Sequence, residues 1–401
     1  PDVYNTLRVQ YSDEDRPRPG NSDLPNFRIF TTDQQGNSVP MFFGGENFGI
    51  TFANRLQEEK IQITNNLTFN LGDHTVKVGT DNLFTNIVNK FWLNGNGLTT
   101  FGDLDAFEAQ SSGFWFRFLP STDNPQPPLA DFGVNKYAFY VQDRWQASDK
   151  LQLTAGLRYD RTSYPDPGAE LTDPTFGSAV ESFGLSETTV PEDDDNFGPR
   201  LSFTYDVNGD ESSVLRGGAG IFYSAAPGVT HGNVLQSTPQ PNRFFGCFGL
   251  NWEDYRNMDG PGNVPTGPDT PHEGFAAGCF PAVPEMSVWG NDVQEATTYK
   301  ANLGYEQRLA DNWKAGVQAI FSRTTNLFGA VNNNLDTDLD DGTGFTRPTG
   351  RPVFVNPDTY NPVAGQADIE AATNTGDIRT LYTQVSNGDA RAWNFKFDVQ
   401  G

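Results

Sequence analysis

Asp336-x-Asp338-x-Asp340-Asp341-Gly342 sets hard oxygen ligands at alternate positions of a short segment, the donor set that calcium prefers. Asp336, Asp338 and Asp340 are therefore calcium candidates. The pattern departs from an EF-hand loop, since Asp341 takes the sixth position and Gly342 follows one residue late, so a solvated acidic loop is the alternative. In Glu192-Asp193-Asp194-Asp195, four adjacent carboxylates repel unless a cation or basic partner joins them. The two cysteines, Cys247 and Cys279, share one Gly/Pro-rich stretch. A disulfide between them would require an oxidising compartment, and two small loop residues are the plain alternative.

Other constellations point away from catalysis. Arg216-Gly217-Gly218-Ala219-Gly220 lacks the Lys-Ser/Thr of a phosphate loop, so its glycines are expected to permit curvature or close packing. His74, His231 and His272 lie far apart and read as exposed loop residues. No nucleophile stands beside a positioned base, and no enzyme activity is expected. Calcium is the one cofactor indicated. Two aromatic groups, Phe114, Trp115, Phe116 and Phe118, and Phe244, Phe245 and Phe248, fall in loops, where they would touch a ligand or pack on each other.

The elements that carry these residues follow from residues 136–161. Tyr137, Phe139, Val141 and Trp145 share one parity, and after Ala147-Ser148-Asp149-Lys150 so do Leu151, Leu153, Ala155, Leu157 and Tyr159. Lys136, Gln142, Arg144, Gln152, Thr154, Arg158 and Asp160 occupy the other. A period of two in paired runs is an antiparallel hairpin. Its aromatic residues lie towards the run ends, as in a lipid-facing strand with interfacial girdles.

Similar runs recur at residues 1–11, 61–71, 75–92, 197–205, 213–223, 299–309, 313–323 and from Trp393, making ten strands. Within 75–92 the apolar parity changes from Val76 and Val78 to Leu83 and Ile87, for which a bulge near Gly79 to Asn82 is the expected cause. Short connections at 72–74, 147–150, 206–212 and 310–312 alternate with long ones at 12–55, 93–132, 162–195, 225–292 and 324–390. Asn208-Gly209 suits a hairpin turn. The long connections read as irregular, with prolines excluding pairing in 93–132. Short turns at one rim and large loops at the other describe an outer-membrane barrel crossed by tilted strands of about ten residues. On this reading Arg144, Arg158, Arg200, Lys300 and Arg308 line the interior.

Composition agrees. Only 36% of the 401 residues are hydrophobic, and no apolar run reaches the ~18 to 20 residues of a membrane-spanning helix. A net charge of −24 argues against nucleic-acid binding. The chain opens on Pro1 and stops at Gly401 inside an alternating run, so part of a longer polypeptide is expected.

Asn65-Asn66-Leu67-Thr68-Phe69 with Gly72 to Asp81, Tyr140-Val141-Gln142-Asp143-Arg144-Trp145 with Leu151 to Asp160, and Asn196-Phe197-Gly198-Pro199-Arg200-Leu201 resemble the barrel of TonB-dependent receptors. Within these the likeness is to the Oar-like group, which carries a carboxypeptidase-regulatory-like domain, and it spans roughly residues 56–323. The resemblance implies a plugged barrel of about 22 strands in the bacterial outer membrane, importing a bulky scarce ligand with energy passed through TonB. Residues 1–401 would then be a partial, all-β, transmembrane antiparallel up-and-down β-barrel, with plug and C-terminal strands outside this chain. Partners would be outer-membrane lipid, the TonB complex and an unknown ligand. A surface structural or adhesive protein and a passive porin are the rival barrels. A soluble β-sandwich is the third rival, and it would bury the Tyr137 and Leu151 face under a second sheet.

Overall fold

The computed structural model describes residues 2–18, 26–43, 54–91, 98–109, 111, 113–119, 129–167, 174–186, 188–237, 243–248, 279–281, 285–333, 345–346, 352–353 and 380–400. In chain order these form β1 (Val3–Arg18), β2 (Asn26–Thr32), β3 (Ser38–Phe43), β4 (Asn54–Leu71), β5 (His74–Lys90), β6 (Leu98–Phe101), α1 (Leu104–Glu108), β7 (Phe114–Leu119), β8 (Leu129–Ser148) and β9 (Leu151–Ser163). They continue as α2 (Pro174–Ser182), β10 (Asn196–Asp206), β11 (Ser213–Ser224), α3 (Gly228–Ser237), β12 (Arg243–Phe248), β13 (Cys279–Pro281) and β14 (Glu285–Trp289). The last are β15 (Ala296–Ala310), β16 (Trp313–Asn332), β17 (Phe345–Thr346), β18 (Pro352–Val353) and β19 (Thr380–Gln400).

Ten of these strands pair as an antiparallel meander, β1-β4-β5-β8-β9-β10-β11-β15-β16-β19, and they are the ten that alternation marks. Among the described residues the sheet is not closed. An eleventh member, β14, lies parallel to β19 from Glu285 opposite Thr380 to Trp289 opposite Gln384. Alternation alone misses it. Pairing also extends further than ten residues: β8 and β16 have 20 residues each and β19 has 21. About ten tilted residues cross the hydrocarbon, so these strands continue well beyond it on the side of the long connections.

Register fixes the two faces. Phe139 stands opposite Tyr159, Val141 opposite Leu157, and Tyr159 opposite Phe197. Among the described residues no protein layer lies over this apolar face: Val141 is 46% exposed, Leu201 64% and Phe397 77%. Apolar side chains left bare over so many neighbouring strands suit acyl chains rather than water. The sandwich alternative is therefore excluded.

Strand β5 corrects the expected bulge. Its register with β4 is unbroken from Arg55–Lys90 to Leu71–His74. Against β8, Thr80–Phe139 and Leu83–Lys136 belong to one register, with the Ala138 N–H donating to Asn82 Oδ1 at 3.3 Å. The apolar parity changes because the inner face itself changes character. Ile87 packs there with Ala130, Phe132 and Val134 of β8, under Leu235 of α3.

The long connections are likewise not irregular. Strands β2, β3, β6, β7, β12 and β13 assemble a second sheet of six strands in the order β13-β12-β7-β6-β2-β3. Phe27, Ile29 and Phe101 form its core with Ala106 and Phe107 of α1, whose first turn is capped by Asp103 accepting from the Ala106 N–H at 2.7 Å. Backbone pairing of Phe114–Leu119 with Arg243–Phe248 joins the two loop aromatic groups, which is the loop-on-loop reading. The prolines expected to exclude pairing, at 120, 125, 127 and 128, lie outside the described residues, and β6 and β7 form on either side of α1.

At the opposite rim the turns are short. Gly72 has φ +63°, and Gly209 has φ +85° with the Asp206 carboxylate accepting from the N–H groups of Gly209 (2.9 Å) and Glu211 (2.8 Å). The glycine run on β11 also has a packing reason. A Cβ on Gly217 would stand 2.6 Å from the ring of Phe203, which lies across that backbone.

Candidate functional site in the barrel interior

Because β-strand side chains alternate, every second residue of β4, β5, β8, β9, β10, β11 and β15 faces the interior, and away from the apolar patch around Ile87 and Phe132 these positions are mostly polar. Asp81 of β5 is their hub. Gln62 Nε2 donates to its Oδ1 at 2.8 Å, Thr64 Oγ1 donates to the same atom at 3.0 Å, and Arg158 Nη2 lies 3.7 Å from Oδ2. Arg158 Nε donates to Asp160 Oδ1 at 2.8 Å, and its guanidinium lies 5.7 Å from the Tyr140 ring centroid. Tyr140 in turn donates to Asn66 Oδ1 at 2.6 Å. Further round, Arg200 and Lys300 approach the Phe222 ring at 4.5 and 5.7 Å. Arg158, Arg200 and Lys300 thus occupy the interior as the alternation predicts, and Arg144 and Arg308 share their parity at the short-turn end of the strands.

Towards the long connections, returning segments cover this wall. Tyr164, just after β9, donates to the Ala226 carbonyl at 3.0 Å, and Pro227 opens the chain into α3. Gln236 Nε2 fastens the far end of α3 to the Asn89 carbonyl of β5 at 2.8 Å. Between them His231 is fully buried, with ring centroids of Phe132, Tyr164 and Trp289 at 4.9, 5.4 and 6.1 Å. Its expected exposure is wrong, because the loop that carries it folds onto the strands. Trp289 Nε1 donates to His231 Nδ1 at 3.2 Å, which puts the imidazole hydrogen on Nε2. Burial pushes the imidazole down to about 4, against a smaller upward pull from Asp166, and burial also pushes the Tyr164 hydroxyl up.

His74 is likewise not a free loop residue. It opens β5, stacks on Trp145 at 5.5 Å and pairs through Nδ1 with Asp143 Oδ2 at 2.7 Å.

The acidic run is divided among partners. Glu192 lies 3.6 Å from Arg161, while Asp193 Oδ2 accepts the Glu295 N–H at 2.5 Å. Burial raises the carboxyls of both Asp193 and Glu295, and each adds a Coulombic push: Asp195 on Asp193, and Asp193 on Glu295. Glu295 had no sequence signal, since it is a single carboxylate in a polar connection.

Two cavities open beside these groups. One of about 510 Å³ lies between β4, β5 and α3 and is bordered by Arg18, Arg55, Lys90 and Glu58. The other, of about 280 Å³, is bordered by Asp81, Lys136, Arg158, Asp160 and Glu295. Among the described residues no three His, Cys, Asp or Glu side chains converge as a metal site. The calcium candidates Asp336, Asp338 and Asp340 and also His272 lie outside the described residues. The backbone of β12 and β13 sets Cys247 directly opposite Cys279.

Residues 1–387 match the family model described as an outer membrane beta barrel domain. Among solved structures, the chain is similar to the outer membrane transporter YddB from Escherichia coli, at TM-score 0.48 and 10% identity over 99% of this chain and 36% of that one. It is similar also to the siderophore receptor PirA from Acinetobacter baumannii (TM-score 0.42, 12% identity, 98% and 39% covered) and to the copper transporter OprC (0.40, 10%, 99% and 40%). The chain therefore spans about two-fifths or less of each of these three structures. No curated protein matches it.

Proposed function

This chain belongs to the outer membrane beta barrel domain family, and from that membership we propose that it is the wall of a TonB-dependent receptor of the Oar-like group, importing a bulky ligand. The bacterial outer membrane is its location. The observation that carries the proposal is the covered inner wall. The described segments around α3 and β14 pack on the inner side of the strands through His231, Trp289 and Gln236, which supports an interior gated by its own loops over an open aqueous lane. A wall of fixed ion pairs below a gate suits a ligand that is held and then admitted. The resemblance at Asn65 to Asp81, Tyr140 to Asp160 and Asn196 to Leu201 supports the same reading.

The six-stranded sheet made from the long connections favours a second reading, a surface structural or adhesive role on the same barrel. One experiment separates the readings. Full-length protein in planar bilayers should show no steady open conductance and should retain a purified TonB periplasmic domain. Steady conductance without TonB retention would assign a passive porin, and neither property would assign the surface role. We also propose a Cys247–Cys279 disulfide, supported by their opposed register, because paired antiparallel positions bring Cα atoms to about 4.5 to 5.5 Å, inside the disulfide range.

A further inference from the structure

The 280 Å³ cavity on the inner wall has a charge balance unlike the rest of this acidic chain. Its border carries three cations, Lys136, Arg158 and Arg161, and three carboxylates, Asp81, Asp160 and Glu295. Four of these six are already engaged: Arg158 with Asp160 and Asp81, and Arg161 with Glu192 outside the cavity. Glu295 is not satisfied in the same way. It is 7% exposed; Thr162 hydrogen-bonds its carboxyl and Lys136 attracts it, yet its Oε1 is buried with no hydrogen-bond partner among the described residues. A buried acceptor without a donor is costly, so this oxygen marks a place where a donor belongs.

We propose that this cavity binds a neutral, hydroxyl-rich ligand of the saccharide class, with Glu295 Oε1 accepting from a ligand hydroxyl and Lys136 donating to a neighbouring one. A net-neutral border has no excess charge to compensate an anion or a cation, whereas hydroxyls both donate and accept. Burial raises the Glu295 carboxyl, and even in its acid form the group keeps an acceptor and gains a donor that a second hydroxyl can meet. The cavity is lined by β4, β5, β8, β9 and the end of β11, with Glu295 from the segment just before β15, so a ligand there would touch both the wall and the returning segment that ends at Glu295. The volume lies near the small end of ligand sites, enough for one or two sugar rings.

The inference rests on the reading of the barrel as a ligand importer, and binding is tested apart from transport. Purified full-length protein in detergent is titrated calorimetrically with maltotriose, cellotriose and xylotriose, and with glucuronate and glucosamine as charged probes. Binding of at least one neutral probe is expected, weakened on the order of 10- to 100-fold by Glu295→Ala and partly retained by Glu295→Gln, which keeps an acceptor oxygen. Leu83→Trp, which narrows the cavity from β5, should abolish it in protein whose strand circular dichroism is unchanged. Binding of the charged probes alone, binding of no probe, or neutral-probe binding unmoved by Glu295→Ala and Leu83→Trp would overturn the proposal. Binding without TonB retention would leave this site standing and sink the transport reading.

Discussion

Acidification should loosen the packing of α3 on the strands, and His231 sets how far. Its imidazole is held neutral by burial, from an ordinary value of 6.5 down to about 4, and Nδ1 accepts from Trp289. Protonation would place a second hydrogen on Nδ1, facing the Trp289 N–H across 3.2 Å, two donors with no acceptor between them. A base whose folded value is depressed binds fewer protons folded than unfolded between the two values. Its contribution is therefore complete above pH 6.5 and is lost as pH falls to about 4. The difference between 6.5 and about 4 corresponds to about 3 kcal/mol of local stability. Asp193 and Glu295 act in the opposite sense. Their raised carboxyls bind more protons folded than unfolded, so their contributions grow as pH falls from neutrality. The contribution of His231 is isolated by comparison with His231→Gln, which keeps an acceptor for Trp289 and does not titrate. Hydrogen exchange of the α3 amides, corrected for intrinsic rates between pH 7 and 4, should show the wild-type opening free energy falling relative to the variant by about 3 kcal/mol. Parallel curves for the two proteins would refute the reasoning.

Other perturbations have definite outcomes. Leu201→Arg puts a charge on the bare apolar face and should lower urea-measured stability in lipid vesicles by about 2 to 4 kcal/mol. Arginine at Ser202, on the opposite parity, should cost far less, and equal costs would contradict the two-face assignment. Gly79→Val brings a Cβ to 2.7 Å from the Asn65 carbonyl oxygen and 2.6 Å from the Tyr140 ring, and the backbone contact cannot relax by a rotamer change. It should destabilise by about 1 to 3 kcal/mol in the same assay, and a neutral result would contradict the close approach of β5 to β4. Intact-mass analysis after alkylation should find Cys247 and Cys279 blocked until a reductant is added, whereas labelling without reductant would remove the proposed bond.

What the sequence revealed divides along physical lines. Alternation reports side-chain direction, so the ten meander strands and the interior placement of Arg158, Arg200 and Lys300 were legible from period two alone. Ile87 and Leu83 were misread because an inner wall covered by returning chain becomes apolar, and period two cannot tell a covered wall from a bulge. His231 looked like a loop residue because its burial depends on Phe132, Tyr164 and Trp289, which come from three separate segments. Strand β14 was hidden for a related reason: its five residues pair with Thr380 to Gln384, distant in sequence, and Met286 and Val288 bury against Val180 of α2 rather than in a repeating pattern. The pairing of β7 with β12 was foreshadowed only by their shared aromatic content. Glu295 carried no pattern at all.

A membrane barrel requires that the Phe139 and Leu157 side of the strands meet lipid. The most direct measurement is nitroxide scanning of residues 137–145 and 151–159 in lipid vesicles, in protein whose two native cysteines are replaced, with accessibility to oxygen and to a polar nickel chelate read at each site. Oxygen accessibility peaking at 139, 141, 153 and 157, with the alternate positions protected from oxygen, is the predicted result. A flat profile, or one in which 140, 142, 154 and 158 face the lipid, would contradict it.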